Sequence, residues 1–300
     1  FANGEFATVP IENAVMTDGI GSYIEFGRKG NLLGYTQMNR VKKLPCTSPY
    51  EYEMVARYCN EKRIGLVLTK NSDFLIFKNR ELLFAKRLGG WNIYSHEEVV
   101  QLLSYRGNYS LKDIRRSIYH TALDTSFAYS GGCIVYLSKD KAEQALVHIN
   151  AHDILDEEYF EIKKRQEIEN AGKLYNLQSL AFVVATYNVP YQTFLTQQHC
   201  IKSECLRKII AGRPFHELSR KPRLELVSMD GATVIDSDGK IIAVGAILKI
   251  EAGSEGGGRL AAATTLSKYG IAIKISQDGI LKAFCPDKKT NKVKVLFTVG

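Results

Sequence analysis

The sequence predicts a mixed α/β (α+β) protein, with a central mixed β-sheet flanked by helices and a smaller α+β domain in front of it. Two patterns carry this. Short apolar runs such as Cys133-Ile134-Val135-Tyr136-Leu137 and Ile271-Ala272-Ile273-Lys274-Ile275 are bounded by turns bearing glycine and aspartate. Between them lie longer stretches whose apolar residues recur every three or four positions, such as Ile114, Ile118 and Ala122. Strands alternating with helices around hairpins give this class. A boundary near residue 110 divides the chain into residues 1–110, an α+β domain, and residues 111–300, which carry a helical insertion over about 139–222.

The elements follow in order. Pro49 opens a helical stretch to about Glu61, with Val55, Tyr58 and Cys59 on one face. Ile64–Thr69, Phe74–Phe77 and Leu82–Phe84 are strands, separated by the turns Lys70-Asn71-Ser72-Asp73 and Lys78-Asn79-Arg80. Ser95, followed three residues later by Glu98, starts a helix. Another runs from Leu111 to about Tyr129 and is stopped by Gly131-Gly132 ahead of the strand Cys133–Leu137. A helix-rich middle spans Lys139–Ile210; the acidic run Asp153–Glu161 suits a helix N-terminus. Leu180–Thr186 fits a strand or a buried helical turn.

Leu224–Val227 and Gly231–Ile235 read as one β run interrupted at Ser228-Met229-Asp230. Asp236-Ser237-Asp238-Gly239 is a hairpin turn, and Lys240–Ile250 returns as an apolar strand. The glycine loop Gly253–Gly258 leads into a helix, Arg259–Tyr269, packed through Leu260, Ala263 and Leu266 and stopped by Gly270. Ile271–Ile275, the turn Gln277-Asp278-Gly279 and Ile280–Phe284 form a closing hairpin.

Composition narrows the function classes. Apolar residues at 45% and charged residues at 24% exclude disorder, collagen-like repeats and coiled coil. No apolar run reaches the roughly 18 residues of a membrane helix. The chain opens on Phe1 rather than Met, the expectation for a processed or trimmed form, with no secretory pattern behind it. The formal charge of +8 favours anionic partners. Its densest stretch, Lys202–Arg223, has a single aromatic, Phe215, rather than an interleaved set, and reads as a solvated basic face rather than a nucleic-acid footprint. Six scattered cysteines without a CxxC pair read as reduced structural thiols of a cytoplasmic protein. His199-Cys200 with Cys205 is a zinc half-site lacking a second half.

Three motifs can carry chemistry. The glycine loop ends on a helix start, where unpaired N–H groups and the positive dipole end favour an anion, and Arg259 adds a fork of donors. It is neither a Walker A loop nor a dinucleotide fingerprint, and a plain flexible loop fits the pattern too. Asp230-Gly231-Ala232 can set a carboxylate at a pocket rim, or simply form a bulge before a strand. Ser276-Gln277-Asp278-Gly279 closes a β-turn.

Taken together, Met229-Asp230-Gly231-Ala232, the returning strand Ile241–Leu248, Gly257-Gly258-Arg259 with Leu266-Ser267 behind it, and Ile273-Lys274-Ile275-Ser276 resemble the nucleotide-binding domain of the diadenylate cyclases. The likeness covers Met229–Phe284 and extends back to about Leu111. It implies a nucleotide with its ribose at Asp230, Gly231 and Ala232, its base against Ile247 and Leu248, and its phosphates at Gly257, Gly258 and Arg259, with Ser276 alongside. Asp230 and Asp278 would hold Mg²⁺ or Mn²⁺ if the protein is catalytic, Asp230 would then be the catalytic residue, and the chain would self-associate into a homo-oligomer. The family's Arg-His-Arg is Arg259-Leu260-Ala261 here, and its acidic residue after the serine is Gln277. The leading expectation is therefore a sensor of ATP or a cyclic dinucleotide such as cyclic di-AMP with impaired catalysis. An active nucleotidyltransferase and a structural or partner-binding protein are the alternatives.

Overall fold

A computed structural model describes residues 21–38, 44–104, 112–173, 205–248, 257–287 and 292–300, with a few isolated positions between them. The readings at His199-Cys200, Lys202, Gly253–Gly256, the end of the strand expected to reach Ile250, and most of Leu180–Thr186 lie outside these residues. The chain folds as two compact units, the first ending at His96 and the second spanning Glu97–Val299.

In the first unit, β1 (Ser22–Phe26) and β2 (Leu32–Gln37) form a hairpin. A separate antiparallel meander comprises β3 (Gly65–Leu68), β4 (Phe74–Lys78), β5 (Glu81–Arg87) and β6 (Gly90–Ile93), in that spatial order. Period-2 alternation, reset in β5 by a bulge between Leu82 and Phe84, sends Val67, Leu75, Phe77, Leu82 and Ala85 inward, onto α1 (Glu53–Tyr58), whose Val55 and Ala56 are buried. The α1 helix is shorter than the stretch expected to run to Glu61, because Cys59 turns to extended backbone. Under the sheet, His96 at the start of α2 (His96–Leu102) places Nε2 2.6 Å from the Leu82 carbonyl oxygen.

The second unit is a mixed α/β fold of three layers around a six-stranded sheet. Its strands are β7 (Gly132–Leu137), β8 (Ala232–Asp236), β9 (Ile241–Ala246), β10 (Gly270–Ile275), β11 (Leu281–Pro286) and β12 (Val293–Val299), in the order β12-β11-β10-β7-β8-β9. β7 and β8 are parallel and every other neighbour is antiparallel. Alternate side chains feed two cores. Ile134, Tyr136, Ile235 and Ile273 join α3 (Lys112–Phe127) and α6 (Arg220–Ser228) on one face. Cys133, Val135, Val234 and Ala272 join α4 (Lys139–Ala145), α5 (Glu157–Lys173) and α7 (Gly258–Leu266) on the other. In α7, Ala263 and Leu266 are fully buried and Leu260 is partly buried against the same core.

The β7-to-β8 connection carries α4, α5 and α6, and it is tied into the sheet rather than hung from it. Ile149 and Ile154 make antiparallel bridges to Leu248 and Ala243, covering the β9 edge. Tyr159 on α5 donates its hydroxyl to the buried Asp236 carboxylate at 2.9 Å, and Asp236 also accepts the N–H groups of Asp238 and Lys240 that close the hairpin turn. Burial raises the Asp236 carboxyl above the usual range, against the pull of these donors.

Two further expectations are corrected. Leu224–Val227 belongs to α6 and not to a β run. Leu224, Leu226 and Val227 are all buried between sheet and α3, which hides the helical period; Ser219 before the helix and Pro222 in its first turn are the signals that mark it. The Lys202–Arg223 stretch is not a wholly solvated face. Arg220 makes a two-pronged pair with buried Asp124, its Nε 3.0 Å from Oδ2, and Arg223 is buried over the Phe215 ring. Among the described residues no helix is long and apolar enough to cross a membrane.

Burial holds the His96 imidazole down to about 4, so it is neutral in the fold. The unfolded chain takes up a proton there below pH 6.5 and the folded chain does not. The contribution is therefore complete above pH 6.5 and is lost as pH falls toward 4, a loss on the order of 3 kcal/mol. Urea unfolding followed by Trp91 emission will show this decline in the wild type and a flatter pH profile in His96→Gln.

Candidate functional site

Because β7 and β8 are parallel, both begin at the same end of the sheet, and antiparallel β9 and β10 finish there. Four connections therefore meet: the segment between α3 and β7, the one between α6 and β8, the one leading into α7, and the β10–β11 turn. These hold Asp230, Gly231, Ala232, Ile247, Leu248, Gly257, Gly258, Arg259, Ser276 and Asp278.

Asp230 stands at the α6–β8 junction with its carboxylate 90% exposed, and Arg259 in the first turn of α7 brings Nη2 to 3.8 Å from its Oδ1. At that exposure the pair is water-screened and readily exchanged. The Arg259 side chain is 26% exposed, with its Nε buried and lacking a hydrogen-bond partner among the described residues. The guanidinium lies against Gly131: a Cβ there would collide with Nη1 and come within 3.3 Å of the Gln277 Cγ. Beneath it, burial pushes the Cys133 thiol up to about 12, with Arg259 pulling the other way more weakly, so Cys133 is no thiolate at neutral pH.

Gly257, at φ 80°, caps α7 without a side-chain bond, and the Ala261 N–H donates to the Gly257 carbonyl at 3.1 Å. The N–H groups of Gly258, Arg259 and Leu260 precede that bond and have no intrahelical acceptor. A Cβ added at Gly257 or Gly258 would meet none of the described residues within 4 Å. Gly231 differs. At φ 97° it packs against β9, where a Cβ would sit 2.5 Å from the Gly245 carbonyl carbon and 2.6 Å from the Ala246 oxygen. The glycine of Asp-Gly-Ala thus has a packing reason.

The remaining positions divide. Ala232 is fully buried, the first residue of β8. Ile247 is exposed, its N–H donating to Asp153 and its carbonyl accepting from Asn150, while Leu248 is half-buried. Ser276 closes the β10–β11 turn, its N–H donating to the Ile280 carbonyl. Asp278 accepts the Ile280 N–H within that turn. Among the described residues no group of three or more His, Cys, Asp or Glu could hold a metal, and Asp230 and Asp278 form no such group.

Gly131 and Gln277 are the site residues the sequence reading missed. Gly131 reads there as a helix stop, yet one glycine suffices for a stop; a Gly-Gly pair ahead of a buried strand signals close approach. Comparison of the chain with protein-family models, curated proteins and solved structures finds no match in any of the three.

The glycines separate packing from access. Gly231→Ala will destabilise by about 2 kcal/mol or more, since the strain falls on backbone. Gly258→Ala, at an open helical position, will hold or raise stability by about 0.5–1 kcal/mol. Thermal unfolding of the two variants beside the wild type checks both signs.

Proposed function

We propose that the second unit binds a nucleotide, ATP or a cyclic dinucleotide, by its phosphates, and senses it without turning it over. The observation that carries this reading is a guanidinium whose buried Nε has no partner among the described residues, beside the N–H groups of the first turn of α7, which have no intrahelical acceptor. Helix N-termini and arginine forks both favour phosphate oxygens. The weak partner Asp230 leaves Arg259 available, and the missing side chains of Gly257 and Gly258 let a phosphate approach the backbone closely.

Turnover asks for more charge than the described residues at this end of the sheet offer. Phosphoryl and nucleotidyl transfer rely on cations set around the developing charge. The two residues after Arg259 supply none: Leu260 packs against the core and Ala261 is buried. Among the described residues Mg²⁺ or Mn²⁺ would find the exposed carboxylates of Asp230 and Asp278, the latter already accepting an N–H in its own turn, and no group of three, so the residues suit a cation that arrives on the nucleotide's phosphates better than a resident one. When bound, such a cation would neutralise phosphate charge.

Calorimetric titration with ATP, GTP and cyclic di-AMP tests the reading. Saturable binding is expected for at least one, weakened about 10- to 100-fold in Arg259→Ala, the scale of a hydrogen bond to a charged group. Asp230→Asn will leave affinity within about threefold. Absence of binding across the set overturns the nucleotide site; cyclic dinucleotide or pyrophosphate formed from ATP and Mn²⁺ overturns the sensor reading in favour of an enzyme.

A further inference from the structure

The meander of the first unit has a second face with no partner among the described residues. Register pairs Leu66 with Ile76, Ile76 with Phe84 and Phe84 with Ile93, one row across all four strands. The next row runs Leu68, Phe74, Lys86, Trp91. Seven of these eight side chains are apolar. Leu66 is 56% exposed, Leu68 70%, Phe84 36%, Trp91 56% and Ile93 73%. Phe74 and Trp91 meet edge to face at 6.1 Å, which fixes part of the surface in place. The opposite face of the same sheet is closed by α1, so these residues are not a core awaiting that helix.

From this face we infer that two copies of the chain associate, sheet against sheet, through the rows Leu66–Ile93 and Leu68–Trp91. Ordinary side-chain areas of roughly 150–250 Å² put the open surface of the five most exposed residues on the order of 600 Å². A standard stable interface takes about 800 Å² from each partner, and Ile64 and Leu88, exposed beside the rows in the chain, extend the patch toward that figure. A contiguous apolar patch of this size stands at the upper end of what isolated monomers leave open, and such patches are often functional. An isologous pairing suits it because apolar rows meet apolar rows at the usual sheet spacing of about 10 Å. Lys86, the one charge in these two rows, can lie along the surface on its four-carbon stem with its ammonium in water.

Trp91 is the sole tryptophan in the chain, so its emission reports this face alone. The test is sedimentation velocity of the full chain from about 1 to 100 μM with Trp91 emission recorded in parallel. The expected result is a monomer-to-dimer shift with a concentration-dependent blue shift of the emission. Leu68→Glu and Ile93→Lys, both on the exposed face, should each leave a monomer with unchanged circular dichroism and melting. A monomer throughout the range overturns the inference. So does a dimer whose Trp91 emission stays solvent-like, or one that survives both substitutions. Trp91 emission already blue-shifted at every concentration would mean that another segment of the same chain covers the face, which also overturns it.

Discussion

Everything at the proposed site depends on β7 and β8 lying side by side and parallel, Ile134 opposite Thr233 and Leu137 opposite Asp236. A parallel pair demands a long crossover, and here α4, α5 and α6 supply it. The pairing sends α3 and α6 to the same end of the sheet, each delivering its chain into a strand. Antiparallel β10 then returns Ser276 and Gln277 to that end, and β9 delivers the chain toward α7. Gly231 tightens the arrangement: without a Cβ it lets the start of β8 press onto Gly245 and Ala246. Asp230, Gly131, Arg259 and Gln277 thus converge through sheet topology, although no two of them are neighbours in sequence.

The electrostatic character follows from which side chains face the open end and which face the core. Arg259 looks outward, held by Gly131 on one side and loosely by Asp230 on another. Leu260 and Ala261 serve the apolar layer under the sheet. A single cation with helix N–H groups can hold a phosphate, whereas stabilising charge as it develops in a transition state takes several preorganised groups. The same division appears in the ionisable groups nearby. Cys133 is pushed up by burial and stays protonated, and Asp236, with its own donors, belongs to the far end of β8, where it fastens the α5 helix to the hairpin.

Much of this was legible in the sequence because strands and turns announce themselves locally. Asp236–Gly239 and Gln277–Gly279 carry turn chemistry that the structure uses as turns, and Ala263 and Leu266 fall on the buried face of α7 that their spacing demands. What failed was long-range. Leu224–Val227 looked like strand because all its apolar residues are buried, and a short run buried on several sides has no readable period. Arg220 and Arg223 looked solvated because nothing in the local sequence names Asp124, nearly a hundred residues away, as the buried carboxylate beside them. β12 and the second apolar face of the meander also went unread. Val293–Val299 lies beyond the last motif considered, and the alternation in β3 to β6 is blurred because both faces are apolar.

Arg259 gives the most direct access to the central claim, that one guanidinium and the α7 N-terminus form a phosphate site. Its side-chain Nε–H resonance in ¹⁵N-labelled protein, assigned with Arg259→Lys, should move saturably as ATP or cyclic di-AMP is added, because that nitrogen lacks a partner among the described residues. Together with it should move the backbone amides of Gly258 and Leu260. A resonance that stays fixed at millimolar concentrations of every nucleotide tried, and of inorganic phosphate, would contradict the account.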